Sequence, residues 1–278
     1  MVSIGTTWDR TVDFVRDNMG ALAPVVLATQ FAPAAVSGSF DRLRMASTGG
    51  TSLALNLLTL AVTVIAMWGA LYLTGFAAQD DKREQRHVAR AIATRRFLPL
   101  VGVSILLFLI VVVIFVPAGL LAVASGFDFS GIMAGREPDP AQFATLGWTF
   151  LYVFVAAIFM VWLFARLLPV TAVVAMERRG VGAIGRAFAL TRGMALKLVG
   201  LLILYGIVAA IGVSAARFVF GGIFALFGSA GSSVSIGDVA AAIAVSAVSA
   251  ILALYQSAFV GKLYRGMVGA EDKTAVFA

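Results

Sequence analysis

Cysteine is absent from this sequence, which excludes disulfides and thiolate metal sites. Histidine is almost absent. His87 is the one imidazole, and it lies in a charged stretch, so neither a histidine-rich metal site nor a Ser-His-Asp triad within a membrane is expected. Charge is scarce too. Charged residues make up 13% of the chain and hydrophobic ones 61%, where soluble domains carry about a quarter charged. A soluble globule of 278 residues has too few charges to cover that much apolar surface, whereas lipid removes the need for a polar exterior. P-loop, G-x-S-x-G and H-E-x-x-H motifs are missing, as is a G-x-G-x-x-G in the context of a nucleotide-binding turn. No catalytic residues, metal site or cofactor are expected.

What is present is a series of apolar runs. A span needs roughly 20 apolar residues to cross about 30 Å of hydrocarbon. Six stretches qualify: 19–39, 52–77, 97–124, 141–168, 194–217 and 238–263. The first holds Pro24, Gln30 and Pro33. The residues before it include Asp9, Arg10, Asp13, Arg16 and Asp17, which is unlike a cleavable signal, so it reads as a retained span. A further run, 218–230, is too short to cross and reads as a continuation of span five or as a surface or re-entrant segment.

The basic residues orient these spans. Counting alternate loops and termini, 17 Lys and Arg fall on one side and 4 on the other. By the positive-inside rule this places both termini on the cytoplasmic side of the plasma membrane. The same rule, with anionic lipid on that side, accounts for the net charge of +7 without nucleic acid.

Three basic segments look alike. Arg10-Thr11-Val12-Asp13-Phe14-Val15-Arg16, Arg90-Ala91-Ile92-Ala93-Thr94-Arg95-Arg96 and Arg186-Ala187-Phe188-Ala189-Leu190-Thr191-Arg192 are offset by 80 and then 96 residues. Each precedes an odd-numbered span. Trp8, Val88 and Ile184, then Thr11, Ala91 and Ala187, then Val12, Ile92 and Phe188 share one helical face. Short amphipathic elbow helices at the interface are expected, with Arg10, Arg16, Arg90, Arg96, Arg186 and Arg192 toward lipid phosphate. The fold class is therefore all-α: one integral membrane domain over 1–278, with a threefold tandem repeat (1–78, 79–169, 170–278) of elbow helix plus two spans.

The stretch Gly185-Arg186-Ala187-Phe188-Ala189-Leu190-Thr191-Arg192-Gly193, leading into an apolar span, resembles the membrane domain fused to some glycerophosphoryl diester phosphodiesterases, also found in stand-alone bacterial membrane proteins of unknown function. In that family the hydrolase is a separate soluble barrel, for which this chain has no room. The resemblance implies a relative of the membrane domain and not a phosphodiesterase.

Polar residues within the spans are few. Gln30 and Asn56 read as interhelical hydrogen-bonding residues or as substrate contacts. Arg166 reads as snorkelling or as a headgroup site, and Arg217 as snorkelling or as the partner of Asp238. Asp238 reads as the N-cap of span six. Asp80, Asp81 and Glu84 beside Lys82, Arg83 and Arg86 read as solvated charge, and Glu137 and Asp139 as turn residues. Pro24, Pro33 and Pro117 mark kinks or ends. The alanines and serines of span six, with Gly206 and Gly212 in span five, suit close packing.

The functional expectation is a non-catalytic membrane protein that binds anionic lipid, or that organises partner proteins or a second copy of itself. The alternative is a transporter or channel-like protein for a lipidic or small apolar solute, with Gln30 or Asn56 lining a cavity. Reporter fusions at residues 85, 180 and 275 should read inside, and those at 135 and 232 outside. An outside signal at 275 overturns the six-span topology.

Overall fold

The computed structural model describes residues 3–79, 85–126, 146–225 and 235–276. The charged stretch 80–84, the turn at 136–140, the start of span four at 141–145 and the end of the short apolar run at 226–230 lie outside them. Every element among the described residues is helical. Six stretches are long and apolar enough to cross a membrane: 4–39, 49–77, 86–124, 147–177, 195–223 and 236–271. The chain is an all-α polytopic membrane protein with six spanning helices.

Span one is three pieces in line: α1 (Ile4–Val26), a π-helical turn (Leu27–Phe31) and α2 (Ala32–Ser39). The π turn has a local cause. Pro33 has no N–H, and its ring presses on the carbonyl four residues earlier. Widening the turn relieves this, and the Ala32 N–H donates to Leu27 O, five residues back. After α3 (Asp41–Ala46) come α4 (Gly49–Ala77) and α5 (Gln85–Ala124). Span four is α6 (Gly147–Leu167), broken at Pro169 and followed by α7 (Val170–Glu177). Then come α8 (Gly182–Leu190), α9 (Ala195–Ala225) and α10 (Ile236–Val276). The run after Arg217 thus continues the fifth helix as far as Ala225.

Only the third of the three expected elbows is a separate helix among the described residues. Gly193 takes a left-handed conformation (φ +79°) between α8 and α9 and breaks the helix there. At the same offsets stand Asp17 and Phe97, which lack that freedom, and α1 and α5 run on unbroken. The buried face at the first segment is Thr7, Thr11, Phe14 and Val15, and at the third Ala183, Ala187, Leu190 and Thr191, each 176 residues on. The middle segment is out of step. Ala89 and Ala93 are buried there, and Ala91, the residue expected on that face, is exposed.

The helices α4, α5, α6, α9 and α10 touch in turn and close into a ring, with α1 and α2 packed outside on α10. The centre of contact is α10, which meets α1, the π turn, α2, α4, α7 and α9. Small residues along its buried stripe help it do so: Ala242, Ser246, Ala250, Ser257 and Ala258 stand among larger ones such as Leu254 and Leu263. A tight point on α10 is Gly261. A Cβ there would lie 2.7 Å from Thr74 O, 2.8 Å from Ala77 Cβ and 3.0 Å from Ala78 N. Of the two glycines expected to pack closely in span five, Gly212 faces Val248 across α10, while a Cβ on Gly206 would meet nothing within 4 Å. The start of α10 also differs from expectation. Ser235 is the cap and Asp238 its partner: the Asp238 N–H donates to Ser235 Oγ at 3.1 Å, and the Ser235 N–H to Asp238 Oδ2 at 3.1 Å, a reciprocal capping box.

Gly261→Ala is expected to wedge α10 from α4 and to cost about 1–3 kcal/mol, the range for overpacking a filled site. Thermal unfolding in detergent micelles would show a lower midpoint. Gly206→Ala, made in parallel, should not lower it.

Candidate functional site

The two main buried clusters draw on α1, the second half of α4, the first half of α5, the end of α6, α7, α8, the start of α9 and α10 from Ala250 to Met267. These elements meet at one end of the bundle, and that end carries most of the charge. There α1 lies against α10. The Thr7–Thr11–Phe14 face of α1 is buried, with the Thr11 hydroxyl donating back to Thr7 O at 2.8 Å. Leu263, Tyr264 and Met267 are buried on α10. Residues at the edges of these two faces look across at one another. Arg10 and Asp13 from α1, with Lys262, Arg265 and Gly266 from α10, line a cleft of about 390 Å³.

Three cations face one carboxylate in this cleft, and Asp13 is shared with Arg16 at 3.1 Å. The Lys262 Nζ stands 4.1 Å from the centre of the buried Phe14 ring, a cation–π contact that holds the ammonium without neutralising it. Among the described residues, neither Arg10 nor Lys262 pairs with a carboxylate. Trp8 is close by, its ring 5.8 Å from Tyr255 and 6.3 Å from Phe259, and 46% exposed. Sequence reading singled out Arg10 but used Lys262 and Arg265 only for orientation. What marks them is their proximity to Arg10, which sequence spacing does not reveal.

A second charged cluster is internally balanced. Arg186 on α8 bonds through Nε to both Glu177 oxygens (3.0 and 3.2 Å), and through Nη1 and Nη2 to Glu271 (3.1 and 2.6 Å). Glu177 also accepts from the Tyr264 hydroxyl at 3.1 Å and pairs with Arg179 at 3.1 Å. The hydrogen bonds to Glu271 first, and to Glu177 next, push the Arg186 pKa above its usual value, so the guanidinium stays charged. Arg186 was expected at a lipid phosphate. Its side chain is only 24% exposed and is given to two protein carboxylates, tying α7, α8 and α10 together. The remaining arginines of that group differ. Arg16, Arg90 and Arg192 are exposed and Arg96 is half-buried.

Arg166, read from the sequence as snorkelling or as a headgroup site, makes contacts within the protein. Its Nη1 donates to Thr191 O at 3.2 Å, and its guanidinium lies 5.0 Å from the Phe188 ring and 5.8 Å from Trp162. It therefore clasps the end of α6 to the end of α8. Gln30 Nε2 donates to Ala66 O at 2.9 Å, an interhelical bond made possible by Gly69, where a Cβ would lie 2.8 Å from that nitrogen. Asn56 is exposed and reaches only Ser52 Oγ in its own helix, at 3.5 Å. Arg217 is exposed. Asp238, considered as its partner, pairs with Arg42 at 2.9 Å. The glycine spacing at Gly180, Gly182 and Gly185 enters α8 from α7, a helix, so it lacks the strand that a dinucleotide-binding turn needs.

The fold and the charged end define a six-span helical membrane protein. No family model matches the chain, and neither a curated protein nor a solved structure is detectably similar to it.

Arg186→Ala is expected to destabilise the chain by about 2–4 kcal/mol, since it leaves two part-buried carboxylates facing each other. Arg186→Lys should recover only part of this, because an ammonium cannot bridge both carboxylates as a fork does. Thermal unfolding of the two variants in one detergent measures the difference.

Proposed function

We propose that this chain is a non-catalytic integral membrane protein that holds anionic lipid headgroups at its basic end, and through them organises lipid or partner proteins around it. The observation that carries this reading is the cleft of Arg10, Lys262 and Arg265, where positive charge collects beside an exposed tryptophan. Cations next to interfacial aromatic side chains are the usual means of contacting lipid phosphate. In this reading the basic end lies in the cytoplasm, at the inner membrane of a bacterium, in keeping with the distribution of Lys and Arg along the chain. The likeness of 185–193 to the membrane domain of glycerophosphoryl diester phosphodiesterases, and the threefold repeat, belong to the same proposal. The 176-residue correspondence of the first and third buried faces supports the repeat. The break at Gly193 and the displaced middle register weaken it.

Transport of a lipidic solute is less well supported. It called for Gln30 or Asn56 to line a cavity, and Gln30 is spent on Ala66 while Asn56 faces outward.

Native mass spectrometry of the purified chain tests the lipid reading. Phosphatidylglycerol should be retained over phosphatidylcholine, and the double variant Arg10→Gln/Lys262→Gln should lose most of that retention. Equal retention by variant and parent overturns the cleft as the lipid site.

A further inference from the structure

We infer that Arg166 is the seat of a second headgroup site, at the corner where α6 ends and α8 passes into α9, and that the phosphate of an anionic lipid supplies the counter-charge there. The site extends the lipid-binding reading above and shares no residue with the cleft between α1 and α10. The first argument is what Arg166 lacks. Its Nη1 donates to Thr191 O at 3.2 Å. Its Nε is buried and has no hydrogen-bond partner, the one buried side-chain nitrogen or oxygen so placed among the described residues. Among the same residues Nη2 makes no hydrogen bond, and no carboxylate pairs with the guanidinium. Phe188 and Trp162, with ring centres 5.0 and 5.8 Å from the guanidinium carbon, attract the charge but do not neutralise it. Arg166 is half-buried, where an unpaired charge is costly, and an arginine cannot shed its proton to avoid the cost. Arg186, by contrast, is given to Glu177 and Glu271.

The second argument is the order of the surroundings. Trp162 lies one turn before Arg166 on α6, toward the apolar body of the span, and is 38% exposed. On the other side Arg192 follows Thr191 in the chain, and Lys197 stands in the first turn of α9. Both are exposed, and neither pairs with a carboxylate among the described residues. The corner therefore grades from an exposed indole, through the held guanidinium, to exposed cations. A lipid presents acyl chain, phosphate and hydrated surface in that order, and tryptophan prefers the boundary of the first two. A soluble phosphate would meet the cations and make no use of the ring.

The third argument is preorganisation. The bond to Thr191 O and the two rings fix the guanidinium before any ligand arrives, so little side-chain freedom is lost on binding. Nη2 is the donor left for a phosphate oxygen, in a charge-assisted hydrogen bond. Arg166 thus has two tasks, the clasp on α8 and the contact with a headgroup, and the two can be separated by experiment.

The test uses the full chain in phosphatidylcholine nanodiscs doped with phosphatidylglycerol or phosphatidylcholine carrying the same diazirine near the headgroup. After illumination, peptide mapping by mass spectrometry reads the labelling ratio of the two probes at each place. The phosphatidylglycerol probe is expected to label 159–166 and 188–197 about tenfold more than the phosphatidylcholine probe. This ratio needs no variant, so it does not depend on a mutant that folds. A raised ratio at the α1–α10 cleft alone overturns the Arg166 site and leaves the cleft reading in place. A raised ratio at the corner alone does the reverse, and equal labelling at both overturns both. Arg166→Gln should bring the corner ratio near one without changing the cleft, and Arg166→Lys should recover most of it. Thr191→Val loosens the clasp but keeps the cation, so it should keep the ratio. Loss of the ratio in Thr191→Val assigns the effect to the clasp and overturns the headgroup contact. Glycerol 3-phosphate or inorganic phosphate, added at the concentration of the probe, should leave the ratio in place. Erasure of the ratio by either overturns the lipid as carrier of the phosphate.

Discussion

A peptide group surrounded by hydrocarbon finds no water, so its N–H and C=O must bond within the protein. This requirement makes each span a helix, and it puts side chains to work wherever a helix is interrupted. The π turn in span one is forced by Pro33, and beside it Gln30 crosses to Ala66 O. The break at Pro169 leaves the end of α6 short of partners, and there Arg166 joins it to Thr191 at the end of α8. The short helix that follows, α7, can sit almost wholly buried because Ala172, Val173, Val174 and Ala175 bring no polar atoms beyond a backbone bonded to itself. Interruptions and polar side chains thus occur together in this fold, and each pair welds one more element to the bundle.

The charges at the basic end fall into two groups with different work to do. Arg186 and Arg179 face Glu177 and Glu271, with Tyr264 donating a neutral hydrogen bond. Two cations meet two anions in this cluster. A few residues earlier along α10, Lys262 and Arg265 line a cleft with Arg10 and Asp13. Among the described residues, neither Arg10 nor Lys262 pairs with a carboxylate. The contrast separates a fastening from an open cleft more sharply than a count of arginines does, since Arg10 and Arg186 looked alike in the aligned basic segments.

How much of this was legible beforehand follows from the range of the interactions involved. The six spans are local: a run of apolar residues carries its own signal, and the helices fall on the runs. The central place of α10 was visible in its alanines and serines, because small side chains state directly that another helix comes close. The break before α7 was hard to see, since residues on both sides of Pro169 are apolar and one proline was the only sign. The Arg186 lattice joins residues 9 and 85 positions apart, and no periodicity links them. The cleft brings residue 10 to residue 262, and the pairing of Arg42 with Asp238 is equally distant. Of the three expected elbows only α8 stands as a separate helix among the described residues, and the expected face of the middle segment was off by two residues, because alanines at 89, 91 and 93 give a helix little to choose between faces.

The position of α10 in the chain has its own effect on how the molecule is made. Synthesis delivers the spans in order, and the helix against which α1, α2, α4, α7 and α9 all rest is the last of the six to arrive. Until it does, Phe14 lacks the ammonium above it, Gly69 and Gln30 hold only the edge of a seam, and Arg186 has one of its two carboxylates. The earlier spans can enter the bilayer one by one and pack in part, α4 on α5 and α5 on α6, but the contacts of α10 are still missing. Assembly is therefore completed late, when the sixth helix threads into a partly packed bundle in the membrane, and a chain stalled before residue 236 leaves five inserted helices without a keystone.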